Sequence, residues 1–149
     1  MGYASATLDL ANAMLAQIAG FQTFVGAVDT PGAAARIVKV DSAPLSSGNY
    51  AKSMVIMDPD EETGLGVFRR SGEIGIALWR TDETADTPAG RAEALYDIAD
   101  TVRTGLLALR GSVGALATFT VALGDPSHFD PTTAQKGKGM IDITIRFRG

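Results

Sequence analysis

From Met140 to Arg148 every second residue is apolar. Ile141, Ile143, Ile145 and Phe147 point one way; Asp142, Thr144, Arg146 and Arg148 point the other. A strict period of two is the pattern of a strand with one face in a core and one in water. Such a strand requires neighbours to pair its backbone and a second layer to cover its apolar side.

The stretch from Gly72 to Leu123 supplies both. Glu73-Ile-Gly-Ile-Ala-Leu-Trp79 puts Ile74, Ile76 and Leu78 on one face of a second strand. A polar loop, Arg80 to Thr87, follows, and the spacing then predicts a helix from Pro88 to about Arg110. Its Leu95, Ile98, Ala99, Val102, Leu106 and Leu109 recur at steps of three and four, which makes one apolar stripe. Thr87 is placed to cap this helix, Pro88 to occupy its first position and Gly111 to end it. Leu116 to Leu123, rich in β-branched and aromatic residues, returns as a strand.

The remaining segments are shorter. Residues 5–19 read as a helix, with Leu8, Ala11, Leu15, Ile18 and Ala19 on one face, Ser5 or Thr7 as the cap and Gly20 as the stop. Phe21, Phe24, Val25 and Val28 suggest a second short helix or packed turn. Asp29-Thr-Pro-Gly32 reads as a break, and Ala33 to Arg36 as one helical turn. Ile37–Val40 and Ser53–Met57 are strand candidates on either side of a loop at 41–50. Asp58 to Gly64 is an acidic turn, and Leu65 to Arg70 a strand joined to the Glu73 strand by a hairpin at Ser71-Gly72. A long loop runs from Gly124 to Gly139. The expected fold class is α+β: a mixed, mostly antiparallel sheet with an N-terminal helix and a long central helix packed on it, in one domain spanning residues 1–149.

At 149 residues roughly 70% of the unfolded surface can be buried, so no disulfide or metal staple is needed. The absence of cysteine excludes thiol catalysis and thiolate metal sites. A formal net charge of −4 argues against a dedicated nucleic-acid binder. No apolar run approaches the ~20 residues that span a bilayer, and Met1-Gly-Tyr-Ala-Ser5 lacks the basic start of a signal peptide. The chain is expected to be made and used in a cytoplasm.

No motif assembles a catalytic site. Ser127, His128 and Asp130 share one loop, whereas a triad needs its members held from separate rigid elements. One histidine excludes His-rich metal sites. Asp58-x-Asp60-x-Glu62-x-Gly64 lacks the distal bidentate Glu of a calcium loop and reads as a solvated turn. Gln135-Lys-Gly-Lys-Gly139 lacks the spacing of a phosphate-binding loop. No catalytic residue, cofactor or metal is expected.

Two surface features remain. On the long helix, Tyr96, Arg103 and Leu107 form one flank, and Ala94, Thr101, Gly105 and Ala108 a strip of small residues on the other. Either they pack under loops or tolerate solvent, or another subunit covers them. Charge is also segregated. Asp58, Asp60, Glu61, Glu62, Asp82, Glu83 and Asp86 crowd two loops, whereas the C-terminal end carries Lys136, Lys138, Arg146 and Arg148 against Asp142 alone. Opposite charge on different edges suits head-to-tail association between acidic loops such as Asp82-Glu83 and a basic C-terminal edge. In the long loop, Phe129 is placed as an apolar anchor, with Lys136 and Lys138 as its basic companions.

The order of elements resembles small structural proteins of tailed bacteriophages, the tail terminator and related head–tail connector proteins. The likeness is one of pattern and covers most of the chain. It rests on the N-terminal helix, Phe21-Gln-Thr-Phe-Val-Gly-Ala-Val-Asp29 leading to Ala33-Ala-Ala-Arg-Ile37, Gly72 to Trp79, the helix containing Ala92-Glu-Ala-Leu95, and Ile141 to Phe147. The resemblance implies a ring, usually of six copies, that caps the tail tube and faces the neck of the head. Its implied partners are the tail tube protein and neck or connector proteins, with no membrane and no sequence-specific nucleic acid. Its implied location is the virion, reached through the host cytoplasm, and it brings no catalytic residues. The alternative expectation is a cytoplasmic α/β module that binds a small ligand or partner at the acidic loops.

Overall fold

The computed structural model describes residues 2–40, 48–59, 61–62, 64, 68–69, 71–81, 88–112, 116, 118–128 and 139–148, with backbone alone at 61, 62, 68, 69, 88 and 128. In chain order the elements are α1 (Tyr3–Gln17), α2 (Ala19–Val25), α3 (Thr30–Ala34), β1 (Ile37–Lys39), β2 (Tyr50–Met57), β3 (Glu61–Glu62), β4 (Phe68–Arg69), β5 (Ser71–Arg80), α4 (Pro88–Leu109), β6 (Phe119–Leu123), β7 (Ser127–His128) and β8 (Gly139–Arg148). This is an α+β fold. The main sheet has the order β1-β2-β5-β8-β6, with β7 pairing β8 beyond the end of β6. Only β1 and β2 run parallel; the other pairs of that sheet are antiparallel.

The alternating segment near the C-terminus lies at the centre. β8 pairs with β5 through ten residues, so Ile145 stands opposite Ile74, Ile143 opposite Ile76 and Ile141 opposite Leu78. All six are fully buried, and each buried aliphatic side chain contributes about 1.5–3 kcal/mol. The α4 stripe covers this surface: Leu95, Ala99, Val102 and Leu106 are fully buried, with Ile98 and Leu109 packed at its margins. α1 adds Leu8, Ala11, Met14 and Leu15 to the same core. The helices cover one face of the sheet; the face bearing Lys52, Met54, Ile56, Glu73, Asp142 and Arg146 carries none.

Several expected boundaries move, each for a physical reason. The first helix ends at Gln17, where Ile18 turns extended (ψ 119°), and Gly20 lies inside α2. Gly20 does not stop a helix; it leaves space for Thr101 of α4, which a Cβ would strike. Neither expected side-chain cap forms. Gly2 is the N-cap, and the Thr7 hydroxyl donates to the Tyr3 carbonyl one turn back (2.8 Å). Asp29 to Gly32 starts a helix, because Asp29 Oδ1 accepts the Gly32 N–H at 2.8 Å. Pro88 does begin α4; Thr87 lies outside the described residues.

The expected hairpin at Ser71-Gly72 is not made. Both residues belong to β5, which pairs with β2 and β8, while Phe68–Arg69 pairs with Glu61–Glu62 in a separate two-stranded sheet. Gly72 is a close-approach residue: a Cβ there would stand 3.0 Å from the Phe147 ring and 3.1 Å from Met57 Cα. β2 begins at Tyr50, inside the expected loop. Asn49 anchors that start by donating to the Phe24 carbonyl (2.8 Å) and accepting the Thr81 N–H (3.1 Å). β6 begins at Phe119, three residues later than expected. The connection after it is partly ordered by the sheet: Gly124 N–H donates to the Asp142 carbonyl (2.7 Å), and Ser127 and His128 pair with Met140 and Gly139.

Candidate functional site

The three α4 flank residues do not form one patch. Tyr96 is 41% exposed, and its hydroxyl donates to Asp125 Oδ1 at 3.2 Å, which ties the helix to the β6–β7 joint. Its phenol is raised above the usual 10.0 by desolvation first and by the Asp125 hydrogen bond and charge second. Arg103 pairs with Asp100 one turn away (3.6 Å). Leu107 is half-buried against the core. Asp82, Glu83, Phe129, Lys136 and Lys138 lie outside the described residues.

The opposite strip of small residues is covered largely by the protein's own chain. Gly20 of α2 meets Thr101, and Ile18 meets Gly105. Ala94 shares a surface hollow with Phe24 and Arg80, and Ala108 is exposed. A second subunit is therefore not required over Thr101 and Gly105.

The charged edges also meet within one subunit. In register, Glu73 lies opposite Arg146 and Ile56 opposite Glu73. Arg146 consequently sits between two carboxylates, with Nη2 on Asp58 Oδ2 and Nη1 3.3 Å from Glu73 Oε1. Ser71 Oγ donates to Asp58 Oδ2 at 3.0 Å, completing the cluster. Arg146 and Asp58, expected to face different subunits, are partners in the same chain.

The feature that periodicity did not single out is the uncovered face of the sheet. Val40, Met54 and Ile56 are 51%, 36% and 56% exposed there. Trp79 and Met140, half-buried, continue this surface, and the Tyr50 and Trp79 rings lie parallel with centroids 6.2 Å apart. Val40, Met54, Trp79 and Met140 line a depression of about 250 Å³, with Lys52 and Asp142 at its rim. The signal was present in β2, where Met54 and Ile56 take the positions that Asp142 and Thr144 take in β8. It becomes legible only when the pairing shows which β2 residues face away from the helices.

Among the described residues no group of three or more His, Cys, Asp or Glu could hold a metal ion, and no helix is long and apolar enough to cross a membrane. The fold and surface define an α+β chain with one sheet face under helices and the other bearing exposed apolar side chains beside an ionic cluster. No family model and no curated protein matches this chain.

Proposed function

We propose that the protein is a structural subunit of a tailed-phage particle, a tail terminator or neck protein whose copies form a ring between tail tube and head. The observation that carries this reading is the uncovered sheet face. Exposed Val40, Met54 and Ile56 beside the Arg146–Asp58–Glu73 cluster combine an apolar centre with a charged margin, the composition of an association surface. The order of elements, which resembles that of phage terminators and connectors, supports the same role. The partners are further copies of the chain, the tail tube protein and neck proteins; the protein acts in the virion and assembles in the host cytoplasm. A small-ligand module is the weaker reading, because the depression on this face, about 250 Å³, is below the roughly 300–1,000 Å³ of ordinary ligand pockets.

Sedimentation velocity and negative-stain imaging of the purified chain test the proposal. A closed ring is expected, and Met54→Lys with Ile56→Lys should weaken it or its docking to tail tube protein. A chain that stays monomeric at every concentration reached, and binds no tail or neck protein, would overturn the reading.

A further inference from the structure

The acidic segment Asp82-Glu83-Thr-Ala-Asp86 and the arginines near the C-terminus belong to opposite ends of the sheet. β5 and β8 are antiparallel, so Arg148 stands opposite Ser71 and Gly139 opposite Arg80. At about 3.3 Å per residue, a strand of this length puts the two ends about 30 Å apart. Residues 82–87 join Thr81, just past the end of β5, to Pro88 at the start of α4. Going out and back at no more than about 3.6 Å per residue, they extend at most about 13 Å from that end. Asp82, Glu83 and Asp86 therefore cannot reach Arg148 of their own chain.

At the arginine end, a groove of about 350 Å³ lies between the close of α4 and β6, lined by Arg110, Thr118, Phe119, Thr120, Arg146 and Arg148. Arg146 is turned to Asp58 and Glu73. Arg110 donates to the Phe119 carbonyl at 3.2 Å and sits 6.0 Å from the centre of that ring. Among the described residues no carboxylate pairs with Arg110 or Arg148. Two cations of a chain with net charge −4 thus face one groove uncompensated, while three acids are confined to the other end. The groove also adjoins an edge: β6 pairs with β8 on one side and with no described strand on the other.

We propose that this groove receives the Asp82–Asp86 segment of a neighbouring copy, its carboxylates meeting the guanidinium groups of Arg110 and Arg148 and the hydroxyls of Thr118 and Thr120. The proposal rests on the ring reading and gives that ring its polarity. A donor at one end and an acceptor at the other make the contact heterologous, and such contacts close into rings when the rotation between copies allows.

A charge-swap experiment on the full chain tests it. Arg148→Glu and the pair Asp82→Lys/Glu83→Lys should each weaken self-association at least about tenfold at ~0.1 M salt, since like charges then oppose each other. Mixed one to one, the two variants should associate as the wild type does, because every contact in an alternating ring is again complementary. Melting temperatures equal to the wild type's show that the variants fold, and Arg148→Gln, which keeps the stem, should weaken association less than the reversal. A wild-type ring indifferent to both reversals, or a mixture that stays dissociated, overturns this docking and leaves the ring. A wild-type chain that never associates overturns both.

Discussion

Gly105 of α4 faces Ile18, the residue that joins α1 to α2, so closely that a Cβ at position 105 would stand 2.7 Å from Ile18 Cγ2 and 2.9 Å from Cγ1. Alanine there gains about 1 kcal/mol of helix propensity but overpacks the joint at about 1–3 kcal/mol. Gly105→Ala is therefore expected to lower the urea midpoint. Combined with Ile18→Ala, the same change should become neutral or stabilising, a coupling that a double-mutant cycle reads directly. A Gly105→Ala single variant more stable than the wild type would show that the joint is loose.

Leu106 is fully buried beneath the sheet. Leu106→Ala should cost about 2–5 kcal/mol in denaturant unfolding. A loss under roughly 1 kcal/mol, the range of a surface change, would mean that α4 turns a different side to the core.

Alkaline pH should destabilise the fold through two phenols. Tyr50 is raised above 10.0 by burial, and Tyr96 by desolvation and by Asp125. Both hold their protons in the folded state after the unfolded chain has released them. Their contribution is complete below about pH 10 and is lost as pH rises through the folded values. Melting temperature should fall above that point, and Tyr50→Phe should flatten the fall. Asp125→Asn should bring the Tyr96 phenol back toward its ordinary value in an ultraviolet titration. An identical melting curve for Tyr50→Phe across pH 9–11 would remove Tyr50 from the account.

The connection carrying Phe129, Lys136 and Lys138 can be shortened only between His128 and Gly139, since those two residues pair in the sheet. Replacing residues 129–138 with a tight turn should leave the melting temperature nearly unchanged, because closure entropy varies slowly with loop length. Tail or neck assembly should fail. Normal infectious particles from the shortened chain would show that the segment contacts no partner.

What could be read from the sequence follows from how far each signal extends. The alternation of β8 and β5 and the stripe of α4 each persist over eight or more residues, and the structure places Ile141, Ile143, Ile145, Leu95, Val102 and Leu106 in the core as the periods require. The glycines were misread for a specific reason. Viewed along the chain, Gly20 and Gly72 look like punctuation, yet both leave room for a remote neighbour, Thr101 in one case and Phe147 in the other. The Arg146–Asp58 pair and the uncovered Met54–Ile56 surface were illegible because both depend on strand register between segments far apart in sequence. Asn49 was lost in a stretch that composition marks as loop, although its amide holds α2 and the end of β5 together.

β8 stands between β5 and β6 but follows both along the chain. On the ribosome, β5 and β6 emerge before the strand that joins them. At about 5–20 residues per second, the interval between synthesis of Arg80 and Arg148 is roughly 3–14 s. Until it ends, the nascent chain carries Ile74, Ile76 and Leu78 on a strand with one edge unpaired, the condition under which chains capture one another. Consolidation is therefore expected to be a late, post-translational event that favours helper proteins. A chain stalled before residue 139 should be cut by protease throughout β5, and release of the same chain with β8 complete should make it resistant.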